Sequence, residues 1–505
     1  MTQKIFISIA VFMALLSSCT KDFQSININP NAPASVSNNY LLSESEVMLA
    51  GSQNPDSKSW RVNFGSAACM VQQMSSTDIS FYGGSFYTST QNNFSAYFED
   101  AYPNSIKSLV NLISLSADPK YVNVLAIARI LKVMDFAKMT DIHGDVPYYE
   151  AGLAFIKVNF IPKYDAQKDI YTDMLNELDK AGTALSSSAT SPGAADYIYS
   201  GDVNKWKRAA NTLMLRLAMR LQKIDDATAK TWASKAIAGG LIANGENIAI
   251  NFDGTTQISA NPNSWILGPS GRNIASINGV LWGKTLIDMM KARKDPRLPV
   301  IANLKNGDTT TANQVGLPNG TNVNILATLT PSSLDGYSRP AAGMFKNSNS
   351  WIYMTYAESQ LLLAEAIERG YVSGTALTAF TNGQTAAVNQ VSVYGITPPP
   401  AAVANYASVN PYPAAGTLDQ KMNAIHSELY LLHAVTLNHI EAWSNWRRTN
   451  YPLLVPVNPV GNETNGTIPR RLKYSPGEFG VNPYVADAIA RQGPDLYTTR
   501  IWWDK

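Results

Sequence analysis

GDVNKWKRAANTLMLRLAMR, residues 201–220, is the stretch that decides the fold class. Asp202 stands where a helix N-cap is expected, because its carboxylate can accept hydrogen bonds from the first free backbone N–H groups. Apolar residues then follow at three- and four-residue spacing, which puts them on one helix face. They are Trp206, Ala210, Leu213, Met214, Leu217 and Leu221. The stretch predicts an amphipathic helix that buries one side.

Helical periodicity also dominates the flanking sequence. Residues 121–139 are mostly apolar, with a narrow polar stripe that predicts a largely buried helix. Asp165 is predicted to cap the next helix, whose apolar face includes Tyr171 and Leu178. The segment 224–226 links the helix of residues 203–221 to another that ends at Gly239-Gly240. Such short links predict antiparallel helix hairpins.

Two more helices are predicted towards the carboxyl end. Thr355 and Glu358 have the spacing of a capping box, and Gly370 marks the end of the helix that they begin. An apolar stripe from Leu418 to Trp443 predicts one last long helix.

Four irregular segments separate these helices: 78–93, 251–279, 303–344 and 372–416. The last contains Pro398-Pro399-Pro400, which cannot continue a helix. Long loops often carry function. The sequence thus predicts a mostly helical scaffold with large loops, although no strict 34-residue tetratricopeptide repeat is visible.

The amino terminus has the plan of an exported protein. Lys4 is followed by the apolar run 5–16, which is too short to cross a membrane as a helix, since this takes roughly 20 residues. Leu16-Ser-Ser-Cys19 resembles the bacterial lipobox, which predicts cleavage after Ser18 and lipidation of Cys19. The alternative is a plain secretory signal with a chance cysteine. The predicted organisation is a signal peptide over 1–18, a lipidated flexible tether over 19–37 and one helical domain over 38–505.

Composition excludes one class of partner. The net charge is +2, and no run of five or more Lys and Arg residues occurs, so a nucleic-acid partner is not expected. After removal of the signal, Cys69 is the single cysteine besides Cys19. Its apolar surroundings in the sequence predict a buried, unreactive thiol.

The usual motifs of catalysis and cofactor binding are absent from the sequence. It contains no HExxH, CxxC, Walker or GxGxxG motif, and we expect neither a metal nor a cofactor. His426 and His433 lie two helical turns apart, too far to share a metal ion. Asp141 and Asp145 flank His143, but the adjacent Gly144 and Pro147 favour turn formation and local capping. Because the chain has 38 acidic residues, its sequence alone does not exclude a pair of carboxylates that catalyses hydrolysis.

The positive signal for binding is aromatic residues in the predicted loops, among small and amide-bearing ones. Flat rings can stack on the C–H faces of sugars, and Asn, Asp, Ser and Arg can bond hydroxyl groups. The alternative is that the rings pack the loops onto the helices. The predicted ligand-binding residues are Phe81, Tyr82, Phe86, Tyr87, Trp265 and Tyr337.

Seven strings, in order along the chain, carry a family resemblance. They are NPNAP (29–33), DIHGDVPY (141–148), GDVNKWKR (201–208) with LRLAMR (215–220), DPRLP (295–299), MTYAE (354–358) with LAEA (363–366), EAWSNWRR (441–448) and IPRRL (468–472). Together they resemble the SusD/RagB family, in its SusD-like subgroup.

The resemblance implies a lipoprotein on the outer membrane of Bacteroidota-type bacteria, built on tetratricopeptide-like helix pairs with a loop-rich, ligand-facing region. It also implies a partner, a SusC-like TonB-dependent transporter that receives captured glycans for import. Members of the family bind their ligand and do not cleave it. The shared strings are scaffold, so no ligand-binding residue is carried over from the family.

Two matters stay open within the resemblance. Surface lipoproteins of these bacteria often carry several acidic residues after the lipidated cysteine, whereas here Asp22 stands alone, so cell-surface exposure rests on the family. Some branches take peptides instead of glycans. An import subunit for peptides, a secreted hydrolase of glycan or peptide, and a pure transporter scaffold are the alternatives.

Overall fold

The computed structural model describes residues 36–277 and 279–505. Its helices follow one another along almost the whole of that length. They are α1 Asn38–Ala50, a π-type helix Asp56–Ala68, α2 Ala96–Ala101, α3 Lys107–Leu115, α4 Val122–His143, α5 Ala154–Lys157, α6 Gln167–Ala184, α7 Val203–Arg220, α8 Asp226–Ala238, α9 Pro262–Leu267, α10 Lys284–Ala292, α11 Leu298–Ile301, α12 Val323–Leu326, α13 Tyr356–Glu368, α14 Ala376–Asn389, α15 Pro400–Val409, α16 Leu418–Val435, α17 His439–Thr449 and α18 Tyr484–Gln492.

Short strands pair in four antiparallel two-stranded ribbons, β1 with β5, β2 with β3, β4 with β8 and β6 with β7. The strands are β1 Met74–Ser75, β2 Val146–Pro147, β3 Tyr164–Asp165, β4 Ile248–Ile250, β5 Leu281–Trp282, β6 Ala302–Asn303, β7 Arg339–Pro340 and β8 Trp351–Met354. These ribbons fasten connecting segments to one another. The mostly helical fold class is confirmed.

Neighbouring helices pack in pairs, α4 with α6, α7 with α8, α13 with α14 and α16 with α17. Helix α7 shows how the sequence produces this. Asp202 accepts hydrogen bonds from the backbone N–H groups of Asn204 and Lys205 at 2.9 and 3.1 Å, which confirms the predicted N-cap. The predicted apolar face is buried, and Trp206 on it is completely so.

Two predicted helix caps differ in the structure. Asp165 does not cap α6; it lies in β3 and accepts hydrogen bonds from the N–H groups of Tyr148 and Tyr149, both at 2.9 Å. Thr355 does cap α13, through the N–H of Glu358 at 3.1 Å. The Glu358 carboxylate does not reach back to complete a capping box, because Arg216 binds it.

The predicted last long helix is wrong: it divides into α16 and α17. Leu437 between them adopts a left-handed backbone conformation, with φ of +55°. An apolar stripe cannot reveal such a break, because residues on both sides of it stay buried in one core.

The prediction of a loop over 372–416 is also wrong, because the segment contains α14 and α15. Pro400 is the first residue of α15, a position at which proline is favoured since its missing N–H would have no helical partner. Helix α14 is hard to predict because half of its residues are Thr, Asn, Gln or Gly, and Thr, Asn and Gly are weak helix formers.

Buried ion pairs join the helix pairs to one another. Arg216 on α7 binds both carboxylate oxygens of Glu358 on α13, each at 2.7 Å. Arg220, one turn further along α7, binds Asp141 on α4 at 3.2 Å and also Glu441 on α17. All of these side chains are at most a tenth exposed. The pairs therefore fix α7 against three other helices.

Two further predictions concern single residues or segments. Cys69 is completely buried, its thiol donates to the Phe64 carbonyl at 3.3 Å, and burial raises its pKa to about 12, so the predicted inert thiol is confirmed.

The signal peptide, Cys19 and most of the tether lie outside the described residues. Among the helices of the described chain, none combines the length and hydrophobicity that a membrane crossing requires.

Removing one partner of the Arg216–Glu358 pair should destabilise the protein strongly. We expect Arg216→Met to lower the free energy of unfolding by about 3–5 kcal/mol, because it leaves a buried carboxylate without its counter-charge. Arg216→Met with Glu358→Leu should recover much of this loss. Lys235→Met, in the exposed pair with Asp179, should cost about 1 kcal/mol or less in the same urea titration. Equal losses for the two single variants would contradict this role of the buried pair.

Candidate functional site

An aromatic surface forms where the π-type helix meets the first long loop. The Trp60 ring stacks on Phe81 with centroids 5.1 Å apart and an interplanar angle of 27°. The Arg272 guanidinium lies 4.5 Å from the Trp60 ring centroid, on a third segment of chain. That guanidinium donates two hydrogen bonds to the Asp56 carboxylate, one from Nε at 2.9 Å and one from Nη2. Three segments distant in sequence thus meet in one stack.

Buried contacts beneath this surface hold it rigid. Trp60 is 7 % exposed, and its indole N–H donates to the Tyr82 hydroxyl at 3.1 Å. A Cβ atom at Gly84 would lie 2.3 Å from the Ser66 carbonyl oxygen, so only glycine allows the loop to approach the helix this closely. The Phe81 carbonyl accepts a hydrogen bond from the Asn93 side chain at 2.9 Å.

Trp265 on α9 adjoins the Arg272 segment. A Cβ atom at Gly271 would lie 2.4 Å from the Trp265 ring atom Cδ1, so the backbone that leads to Arg272 lies directly against this indole. Asn261 caps α9 through the N–H groups of Asn263 and Ser264. Trp265 and Phe81 are both partly exposed. We name Trp60, Phe81, Trp265 and Arg272 the aromatic platform.

Four of the six predicted ligand-binding residues have no accessible ring face, which corrects the prediction for them. Tyr82, Phe86 and Tyr337 are each 2 % exposed, and Tyr87 is completely buried. Tyr337 lies apart from the others, in a small apolar cluster with Leu317, and its hydroxyl donates to the Pro331 carbonyl. These rings pack loops onto the body of the protein. Phe81 and Trp265 remain as candidates.

The sequence prediction overlooked two members of the platform. Trp60 lies in a helix, outside the predicted loops, and Arg272 lies in the predicted loop 251–279 but is not aromatic. The available signal is the sequence of 56–61, in which an acid, a tryptophan and an arginine lie within six residues. A π-type helix, common at functional sites, is not visible from the sequence.

The acidic residues around His143 have a structural role. They bond residues that are distant in sequence, and they are not local helix caps. Asp141 accepts hydrogen bonds from Tyr171, Arg220 and Trp503. Asp145 accepts from the Gln167 N–H and from Arg491, both at 2.9 Å. Both carboxylates are buried and occupied by donors, so they form no hydrolytic pair.

One buried group in the described chain has the proximity of a metal site: Glu358, His433 and Glu441, whose ligand atoms lie within 4.8 Å of one another. Arg216 and Arg220 already bind these two carboxylates. The two guanidinium groups hold the pKa of Glu441 at about 2, against the effect of burial. The cluster is an ion-pair network, with its charge neutralised by arginine.

Residues 30–475 match the model of the SusD-like family described as "Starch-binding associating with outer membrane". The chain belongs to this SusD-like family. Among curated protein sequences, none matches.

Solved structures with a similar fold support the family assignment. A chitin-binding protein shares 31 % identity, with a TM-score of 0.82 over 93 % of this chain and 100 % of its own. A chitin-binding SusD homolog from Flavobacterium johnsoniae shares 25 %, with a TM-score of 0.76 over 92 % and 99 %. A SusD homolog from Bacteroides uniformis, at 23 % identity and a TM-score of 0.74 over 92 % and 99 %, shows the fold alone.

The SusD-like chain is therefore an outer-membrane-associated nutrient-binding protein. Proteins of the family bind without catalysis, and the alternative of a secreted hydrolase is set aside. The helix pairs α4/α6, α7/α8, α13/α14 and α16/α17 form the scaffold that the resemblance implied.

The His143 imidazole should make stability depend on pH. Burial lowers its pKa to about 3, and that of His439 likewise, whereas both groups titrate near 6.5 when unfolded. The unfolded chain then binds more protons below pH 6.5, so stability falls as the pH drops from 6.5 towards 3. Each histidine contributes a slope of up to about 1.4 kcal/mol per pH unit.

The matched variant is His143→Phe, since this imidazole packs against the rings of Phe98 and Tyr474. We expect urea titrations between pH 6.5 and 5 to give a shallower decline for the variant, because His439 alone of the two remains. Identical slopes for both proteins would refute the assignment.

Proposed function

We propose that this protein captures a neutral glycan of the chitin type at the aromatic platform and delivers it to a SusC-like TonB-dependent transporter, while lipid on Cys19 holds it at the cell surface. The observation that carries the ligand class is two partly exposed rings on this surface: Phe81 stacks on Trp60, which Arg272 also contacts, and Trp265 lies against Gly271, next to Arg272. Flat apolar rings suit the C–H faces of a pyranose, and the guanidinium offers donors to its hydroxyl or acetyl oxygens.

Two features of the platform favour a carbohydrate. Its one cation, Arg272, is compensated by Asp56, so the local charge is balanced and does not select an anionic ligand. The rings are held by buried contacts in the unliganded protein, so little entropy is lost when a sugar stacks on them. The two chitin-binding relatives favour a chain of N-acetylated sugars over starch.

The partner and the anchor are supported by family membership and by the sequence. A tether over 19–37 would leave the helical body free to move while the lipid stays in the membrane. Two or more acyl chains on Cys19 would hold the protein stably, because each buried methylene contributes about 0.8 kcal/mol.

Replacing Phe81 and Trp265 together by alanine should weaken binding of chitohexaose. At about 0.5–1.5 kcal/mol per stacked ring, the dissociation constant should rise about five-fold to somewhat over a hundred-fold. Isothermal titration calorimetry measures the change, and a melting curve checks that the fold is intact.

Trp232→Ala is the matched control, since this partly exposed tryptophan lies on α8, away from the platform. It should bind as the wild type does. Unchanged affinity of the double variant would reject the platform as the site. Binding of peptides but not of chitohexaose or maltohexaose by the wild type would reject the glycan.

Cys19→Ala should abolish acylation and remove the protein from the outer-membrane fraction. Labelling with a radioactive fatty acid and membrane fractionation measure both effects. Cys69→Ala is the control, because its thiol is buried, and it should remain acylated. A Cys19→Ala protein that stays in the outer membrane would show that the anchor is not this lipid.

A further inference from the structure

A polar groove lies outside the aromatic platform and shares no residue with it. Two adjoining cavities of about 420 and 330 Å³ have Gly245, Asn247, Gln390 and Ser392 in common. Each alone falls in the usual range of small-molecule sites, about 300–1,000 Å³. One wall is α14 and the segment after it, and the opposite wall is the segment that leads into β4. We name this joint space the amide groove.

Amide and hydroxyl side chains dominate the α14 wall. Asn382, Thr385 and Asn389 follow one another at three- and four-residue spacing, which places them on one helix face towards the groove. Asn382 and Thr385 are solvent-exposed and Asn389 is half-buried, and within the described chain none of the three side chains bonds another group, so all three are accessible to a ligand. Asparagine also has low helix propensity. Neither helix stability nor internal bonding therefore accounts for the asparagines here.

The opposite wall is held in place by bonds of its own. Asn247 accepts a hydrogen bond from the N–H of Tyr356 at 2.9 Å and donates to the Gln390 side-chain oxygen at 3.2 Å. The Gln390 amide nitrogen remains available to a ligand. Gly383 lets α14 pack close to α13, since a Cβ there would lie 2.8 Å from the Leu361 side chain. The groove is thus preformed and does not require a ligand to assemble it.

The base of the groove adds an aromatic face. Tyr356, the first residue of α13, is partly exposed and lines the larger cavity. Asn382 and Asn389 line the same cavity, which thus combines an aromatic residue with neutral hydrogen-bonding groups, a combination that suits a sugar ring.

The charge of the lining narrows the ligand class. Among the residues that line either cavity, Lys205, in the smaller one, is the one charged side chain, and no carboxylate is present. The adjacent Glu246 is bound by Arg208 through two hydrogen bonds of 2.6 and 2.7 Å. A groove lined by amides and hydroxyls, with no cluster of like charge, matches an uncharged, hydroxyl-rich ligand.

We infer that the amide groove is a second binding site for a neutral oligosaccharide, in which Asn382, Asn389 and Gln390 bond hydroxyl or acetyl groups while Tyr356 stacks on a sugar ring. The inference rests on the proposed glycan ligand but not on the platform as its site. Two separate sites on one surface protein would raise its retention on a polymeric glycan, because release requires both contacts to break.

The decisive variant is Asn382→Ala with Asn389→Ala in the full-length, detergent-solubilised protein. Alanine is the better helix former, so α14 should keep its fold. Calorimetry with chitohexaose should resolve two sites on the wild type; this variant should weaken one of them, Phe81→Ala/Trp265→Ala should weaken the other, and all four changes combined should weaken both. Where one groove amide alone is replaced, the groove's dissociation constant should rise about two- to twelve-fold.

Thr172→Ala with Asn176→Ala is the matched control, since it removes a hydroxyl and an amide from α6 that line neither cavity. It should retain both sites. An unchanged stoichiometry and affinity in the groove variant would overturn the inference, as would loss of all binding in the platform variant alone.

Two other outcomes separate this inference from the proposed function. If the platform variant binds as the wild type does and the groove variant loses all binding, the groove stands and the platform fails. If the groove takes oligogalacturonate but not chitohexaose or maltohexaose, Lys205 selects an anion and the neutral class is overturned. Failure of the wild type to bind either uncharged probe would reject both sites.

Discussion

The pairing of buried charges is the constraint on which the rest of the structure depends. Arg216 and Arg220, one helical turn apart on α7, bind carboxylates on α13, α4 and α17. A second cluster joins Arg448 of α17 to Glu365 of α13 through two bonds of 2.7 Å. A buried charge without its partner costs several kcal/mol, so each pair permits one relative position of its two helices. Apolar packing alone would tolerate small shifts between them.

This fixed scaffold gives the binding surfaces their rigidity. The platform is assembled from three distant segments, and each is fastened by a hydrogen bond: Trp60 to Tyr82 in the interior, Phe81 to Asn93 in a partly buried position, and Arg272 to Asp56 at the surface. Tyr82, expected to touch the ligand, instead accepts a hydrogen bond from the buried Trp60, on which the partly exposed Phe81 ring stacks. Buried hydroxyls with hydrogen-bond partners are what the fold requires of these residues, whereas a ligand requires accessible faces.

The two proposed sites use the same chemistry in different proportions. The platform is mainly aromatic, with one compensated cation, whereas the amide groove is mainly neutral and polar, with one ring. Sugars present both apolar C–H faces and hydroxyl edges, so either proportion can hold them. Both surfaces belong to an outer-membrane-associated binding protein, and several weak contacts on one chain can together hold a polymeric ligand.

The sequence by itself determined the features that depend on local chemistry and on patterns within a few turns of helix. These include the cap at Asp202, the buried face of α7, the inert Cys69, the family and, through it, the mostly helical class. It could not determine α14, half of whose residues are Thr, Asn, Gln or Gly, or the break at Leu437, which lies inside a continuous apolar stripe. Only the tertiary structure decided which aromatic rings are exposed, because exposure depends on what distant segments cover. For the same reason it alone brought Trp60, Phe81 and Arg272 together and left the α14 amides facing an open groove.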